Sequence, residues 1–333
     1  MKSTLGRWFL KGLSSPLAMS VVHRLMANDV FCLMLHRIGE RDPLRLSPNE
    51  DMKVSPQYLD RFFSEAKRRG FAFLSLSQLH SALVEECALP SRSLVVTLDD
   101  GYRDNLTEGL SVFERHDVPF TVYLSTAFID GDHIPWWYAL EGLLSARRSI
   151  LWRGNAISLE SPAEKNDAFM RGRAAALQSS LGAETYIGEI CAENGYEIEN
   201  LKELFLTWND VRELHLHPLA GLGNHGHRHL NLQTVPREVI REEFVLAGEK
   251  IARHTGCTPV HYAYAYGLFT EEAESVLRSL DAATCVMTSP GRLSAGEHKK
   301  LLALPRFMLY EGMSVDALMA QSAYVSLRGF LKR

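Results

Sequence analysis

Short apolar, β-branched runs alternate with longer amphipathic stretches along this chain. The runs at residues 29–38, 71–74, 94–100, 120–125, 219–224, 261–267, 282–287 and 301–310 read as strands. The stretches at 56–69, 105–115, 237–254 and 271–279 carry apolar positions at helical spacing. Alternation on this scale predicts a parallel sheet covered by helices, either a barrel or a doubly wound sheet. Residues 136 to about 206 break the rhythm, with helical patterns at 163–181, 184–194 and 201–206 and little strand character. They are expected to form a helical insertion between two strands, of the kind that shapes a substrate cleft. No internal repeat or Gly/Ser linker divides the rest. Residues 29–333 are therefore read as one domain, and residues 1–28 as a helical N-terminal extension.

Composition narrows the function classes. The chain has 333 residues, of which 46% are apolar and 23% charged, with a formal net charge of −4. A sizeable core is available, and no basic surface suggests nucleic acid as a ligand. The five cysteines are odd in number, widely spaced and without a CxxC pair, so reduced thiols are expected. No apolar run approaches the ~20 residues needed to span a bilayer. Arg7 and Lys11 interrupt the first apolar segment, so a cleaved signal peptide is not expected and a cytoplasmic location is. Trp8, Phe9, Leu10 and Leu13 beside Lys2, Arg7 and Lys11 could touch a membrane surface, although packing on the domain is the simpler expectation.

Three segments carry chemistry. The first is Leu94 to Tyr102, a buried strand pattern ending in Asp99, Asp100 and Gly101. Two carboxylates at the end of a buried strand repel each other, and a cation would relieve them. Capping of the following helix explains the pair equally well. The second segment places His225, His227 and His229 in five residues. On a helical turn, His225 and His229 would share one face and reach one ion, with His227 pointing elsewhere. Two imidazoles and one carboxylate leave metal positions open, and an open site suits hydrolysis. The second carboxylate could then act as general base, but local physics does not say which aspartate does which. The third segment ends a strand in His36, which taken alone reads as a structural histidine.

These residues resemble the polysaccharide deacetylases, carbohydrate esterase family four. Thr97-Leu98-Asp99-Asp100-Gly101 stands where that family has Thr-Phe-Asp-Asp-Gly, and His225 and His229 have the spacing of its histidine motif. The resemblance implies Asp99 as base and Asp100, His225 and His229 as ligands of a divalent metal, most simply Zn²⁺, with Co²⁺, Ni²⁺ or Fe²⁺ accepted by the same donors. Leu33 to Ile38 is similar to an early motif of a permuted branch acting on exopolysaccharides of N-acetylglucosamine, which makes His36 the general acid. Tyr262 to Gly267 and Leu304-Pro305-Arg306 resemble further family segments, as do Pro135-Trp136-Trp137 and the stretch 206–209. They imply cleft contacts from Trp136, Tyr264, Tyr266 and Gly267, an oxyanion donor in the backbone near Tyr266, and Arg306 orienting the base. Leu98, Gly226 and Ala265 depart from the family's Phe, Ser/Thr and Pro, and His227 is additional.

The resemblance thus implies a distorted (β/α) barrel of about seven strands with the site at the strand carboxyl ends. It also implies removal of N-acetyl groups from an amino-sugar glycan of an exopolysaccharide or cell envelope, a hydrolysis of carbon–nitrogen bonds other than peptide bonds. Two alternatives stand beside it: deacylation or deformylation of a lipid- or nucleotide-linked sugar, and a metal-free glycan-binding remnant.

Overall fold

Val, Ile and Leu in unbroken runs favour strands buried on both faces, and such strands suit a parallel sheet covered by helices. The computed structural model, which describes residues 29–291, 293–294 and 298–331, has this architecture. Nine strands form the main sheet: β1 (Asp29–Leu35), β2 (Ala72–Leu74), β3 (Ser93–Leu98), β4 (Phe120–Leu124), β5 (Ala220–Asn224), β6 (His261–Ala263), β7 (Thr284–Val286), β8 (Leu293–Ser294) and β9 (Phe307–Met308). Every residue of β1, β3 and β4 is buried.

The order β7-β6-β5-β4-β3-β1 is parallel throughout. On the outer edge of β1, β9 pairs in parallel and β8 antiparallel. β2 and β4 divide one edge of β3 between them, β2 taking residues 93–95 and β4 residues 96–98. The backbone of Leu304 bonds to Cys285 and Met287 at 2.8 and 2.9 Å, just before the chain enters β9. The segment 304–308 therefore connects the last strand to the first. Seven parallel positions curl into the expected distorted barrel.

Inside it pack Cys32, Val95, Tyr123, Ala263, Val286 and Leu304. Outside, helix α1 (Pro56–Arg68) lays Tyr58, Leu59, Phe62, Phe63 and Ala66 against the sheet. Its start is set by Ser55, whose hydroxyl accepts from the Tyr58 amide, and by Pro56 in the first turn.

Between β4 and β5 the chain leaves the barrel. Helices α2 (Trp136–Ala146), α3 (Pro162–Gln178) and α4 (Ala183–Glu193) share a separate apolar cluster that includes Leu140, Leu143, Phe169, Ile187 and Ile190. A two-stranded hairpin, Ser149–Trp152 with Asn155–Ser158, sits among them. The sequence pattern did not reveal it, because its strands are only four residues long and largely exposed. Its turn takes Arg153 and Gly154 at φ 49° and 78°, as a two-residue hairpin requires. The N-terminal extension, residues 1–28, lies outside the described residues. No helix among the described residues is long and apolar enough to cross a membrane, and the cysteines are free thiols.

Candidate active site

Four barrel segments deliver the chemistry to one end. Asp99 and Asp100 follow β3, His225 follows β5, His36 follows β1, and Arg306 precedes β9. The backbone pairing continues past the strands, with the Asp99 amide on Leu35 at 3.0 Å and the His225 amide on Leu124 at 3.0 Å. These bonds fix the points where the side chains emerge.

The His225–His229 segment is not the helical turn that its spacing suggested; it is an irregular loop. Gly226 and His229 both take left-handed conformations, at φ 80° and 57°, which no α-helix tolerates in succession. The two imidazoles nevertheless meet, with ring centroids 4.7 Å apart. Contacts from neighbouring segments hold the loop. Asn224 Oδ1 accepts from the Gly226 amide at 2.8 Å. Buried Glu243 accepts from the Arg228 amide and Nε, both at 2.7 Å. The His227 ring turns away to the Thr126 hydroxyl at 2.8 Å. The missing Ser/Thr hydroxyl at 226 is thus replaced by Asn224 and Glu243 as braces.

Asp100, His225 and His229 bring one donor atom each to within 4.8 Å of one another, and all three are buried. His225 Nε2 and His229 Nε2 lie 3.3 and 3.2 Å from Asp100 Oδ1. His225 Nδ1 is 2.7 Å from the Ala263 carbonyl, which can only accept, so the proton sits on Nδ1. In neutral His225 a nitrogen lone pair then faces a carboxylate lone pair. Asp100 Oδ1 itself has no hydrogen-bond partner. Lone pairs converging in a buried pocket call for a positive charge at their focus, and the donor set fits a divalent ion.

Burial acts against ionisation of each member. For Asp100 it is outweighed by the His229 charge and contacts from both histidines, which hold the carboxyl well below its ordinary range. His229 is lowered, chiefly by burial. His225 is raised, because contact with Asp100 and the Asp99 charge outweigh burial.

Asp99 has a different partner. Its two oxygens accept from Arg306 at 2.6 and 2.7 Å. Arg306 is fully buried, and its guanidinium also donates to Thr97 Oγ1 at 3.0 Å and the Met287 carbonyl at 2.9 Å. Burial pushes the Asp99 carboxyl up, but the Arg306 charge overcomes this and holds it below the usual range. His36 lines the same cavity. Its Nδ1 is buried without a partner, its carbonyl accepts from Asn105 at 2.9 Å, and burial lowers its pKa against the pull of Asp100 and Asp99.

The cavity over these groups has a volume of about 620 Å³. Trp136 and Tyr266 are on its wall as expected, joined by a 2.7 Å bond from the indole N–H to the phenol oxygen. The Tyr266 ring stands edge-on to His229 at 4.5 Å. Tyr264 is not on the wall. It is wholly buried, stacked on Phe269 at 4.0 Å with its hydroxyl on the Leu302 carbonyl. Alternation along the strand keeps Tyr262 and Tyr264 together in the core, and the left-handed turn at Tyr266 breaks the pattern and sends that ring to the cavity instead. Gly267 does not line the cavity either. At φ 68°, with Thr288 so close that a Cβ would collide with its backbone, it shapes the turn that presents Tyr266.

Asp100, His229 and Tyr266 all have positive φ, at 74°, 57° and 59°. Such conformations cost roughly 1–3 kcal/mol each and gather where a site overrides local preference.

The sequence reading missed the far wall. Asn166, Phe169, Met170 and Arg173 of α3 face the cavity, as does the segment 47–52. Buried Glu141 of α2 pins that segment, accepting from Arg45, the Leu46 amide and Asn49 at 2.8 to 3.1 Å. A glutamate inside an apolar helix was the available signal.

Comparison with known proteins agrees with this arrangement. The model of the polysaccharide deacetylase family matches residues 88–285. The chain belongs to that family. Among solved structures, the Streptococcus pyogenes deacetylase PplD in complex with acetate superposes with a TM-score of 0.58 at 17% identity, covering 87% of this chain and 96% of that one. IcaB from Ammonifex degensii gives 0.57 at 14% identity, covering 90% and 97%. The BpsB deacetylase domain from Bordetella bronchiseptica gives 0.53 at 16%, covering 86% and 97%. These likenesses establish the shared fold. No functionally curated protein sequence matches the chain significantly.

Proposed function

We propose that this protein is a metal-dependent hydrolase that removes N-acetyl groups from an amino-sugar glycan, with Asp100, His225 and His229 as metal ligands. The convergence of their three donor atoms within 4.8 Å carries this reading. Family membership supports the deacetylase chemistry. A bound divalent ion, Zn²⁺ being the simplest choice, would polarise the acetamide carbonyl and acidify water.

The protein groups do the rest. Asp99, kept ionised by Arg306, takes a proton from the attacking water through a lone pair that Arg306 leaves unused. The water oxygen bonds to the carbonyl carbon, with the backbone N–H of Tyr266 as oxyanion donor. The carbon–nitrogen bond then breaks and His36 delivers a proton to the leaving nitrogen. An imidazole held below its ordinary pKa is the stronger acid once protonated, which suits donation to an amine. Acetate and a free amino sugar leave.

Trp136 and Tyr266 contact the sugar. Exopolysaccharide made of N-acetylglucosamine units is the preferred substrate class, as the early His36 motif suggests. A cytoplasmic site of action belongs to the same proposal.

Acetate release from N-acetylated oligosaccharides, with chelator and after metal is restored, tests the reading. Turnover that survives complete metal removal overturns it.

A further inference from the structure

The proposed chemistry leaves the α3 wall without a role. Asn166, Phe169, Met170 and Arg173 are spaced i, i+3, i+4 and i+7, which places them on one helix face, and that face lines the cavity. Every acid on the cavity lining is engaged: Asp51 with Arg41, Asp99 with Arg306, and Asp100 with the two histidines. Arg173, by contrast, has no carboxylate partner among the described residues. Among the described residues it is the single Arg or Lys on the lining. Two turns earlier on the same face, Asn166 Oδ1 is buried without a hydrogen-bond partner. Tyr266 lines the same cavity with its ring on His229.

A solvated surface arginine is common. One that faces a catalytic cavity, with an orphaned amide oxygen on the same helix face and no carboxylate partner of its own, is set up for an anion. Guanidinium forks bind carboxylate or phosphate in two-point fashion, and a hydroxyl beside such an anion would satisfy the Asn166 oxygen.

We propose that Arg173 and Asn166 form an anion-recognising subsite that selects amino-sugar substrates bearing a carboxylate or phosphate on, or next to, the unit being deacetylated. This rests on the deacetylase reading and narrows its substrate class.

The test uses the full-length, metal-loaded enzyme and glucosamine disaccharides that are already deacetylated, so turnover cannot intervene. One is neutral apart from its amines, one carries a phosphate at the reducing end, and one has a uronic acid as its second unit. Binding is followed through the emission of Trp136 and Trp137 on the cavity wall. At least one anionic ligand should bind about tenfold tighter than the neutral one, the scale of a charge-assisted bond. Which one does so separates phosphate from carboxylate. Arg173→Gln should erase the difference and leave the neutral ligand unchanged, and Arg173→Lys should restore part of it. Arg171→Gln, on the same helix but paired with Asp167, should match the wild type. Equal affinity for all three ligands overturns the proposal, as does an equal loss for all three in Arg173→Gln. Failure of the deacetylase reading shows elsewhere, as absence of acetate release from the N-acetylated forms.

Discussion

Arg306 holds both oxygens of Asp99 from the second strand along the sheet, at 2.6 and 2.7 Å, although 207 positions separate the two residues in sequence. The pair is buried, so each charge depends on the other. Asp99→Asn should lower turnover by about 10²- to 10⁴-fold, the range of a lost general base, while metal content stays stoichiometric. Metal analysis beside acetate release checks it. Full-rate turnover in the variant would mean that another group is the base.

The same contact sets a pH dependence. Arg306 lowers the Asp99 pKa, so Asp99 is ionised further into acid than an ordinary aspartate. Arg306→Met should let that pKa rise, moving the acid limb of the kcat/KM profile to higher pH. It should also cost about 3–5 kcal/mol of stability, because Asp99 is left buried without its counter-charge. Urea unfolding and the pH profile report the two effects separately.

Asp100 faces two imidazole nitrogens at 3.2 and 3.3 Å. Asp100→Asn replaces a lone pair with an N–H that can donate to one of them, and asparagine tolerates the φ of 74° at that position well. The metal-free variant is expected to melt above the metal-free wild type. Its metal affinity should fall by at least about tenfold, since a charged ligand is gone. Thermal unfolding with and without Zn²⁺ tests both parts.

Gly226 departs from the family's Ser/Thr, and its φ of 80° explains why glycine suits this loop. A Cβ there would also sit 3.2 Å from Glu243 Oε2. Gly226→Ser should therefore destabilise by about 1–2 kcal/mol, the cost of a left-handed residue with a side chain, without raising activity. A gain in turnover at unchanged stability would show that the hydroxyl is wanted after all.

His261, at the start of β6, is buried between Ser77 and Thr284, at 3.2 and 2.9 Å. Burial lowers its pKa to about 4. Below the ordinary histidine pKa the unfolded chain binds a proton that the folded chain refuses, so stability falls with pH from about 6.5 and levels off below about 4. The loss should be on the order of 3 kcal/mol. His261→Gln keeps hydrogen-bonding capacity and should remove most of that slope, as measured by urea unfolding at pH 4 and pH 7.

Much of the site could be read before the fold was known. The apolar run into Asp99 and Asp100, and the crowding of histidines at 225–229, are local patterns, and local patterns state donor chemistry directly. The barrel was legible for the same reason, since strand and helix periods are written in neighbouring residues. The histidine loop was misread as a helical turn because spacing alone does not carry φ, and the left-handed values at Gly226 and His229 belong to a loop held by distant groups such as Thr126 and Glu243. Tyr264 and Tyr266 looked alike in sequence, and the turn at Gly267 sent one to the core and the other to the cavity.

The sequence by itself determined which residues could bind a metal, take a proton and alternate as strands. Tertiary structure decided which of them meet, that Arg306 neutralises Asp99, and that one face of α3 lines the cavity with Arg173. Periodicity and side-chain chemistry act over a few residues, whereas convergence across a hundred or more is set by how strands and insertion pack.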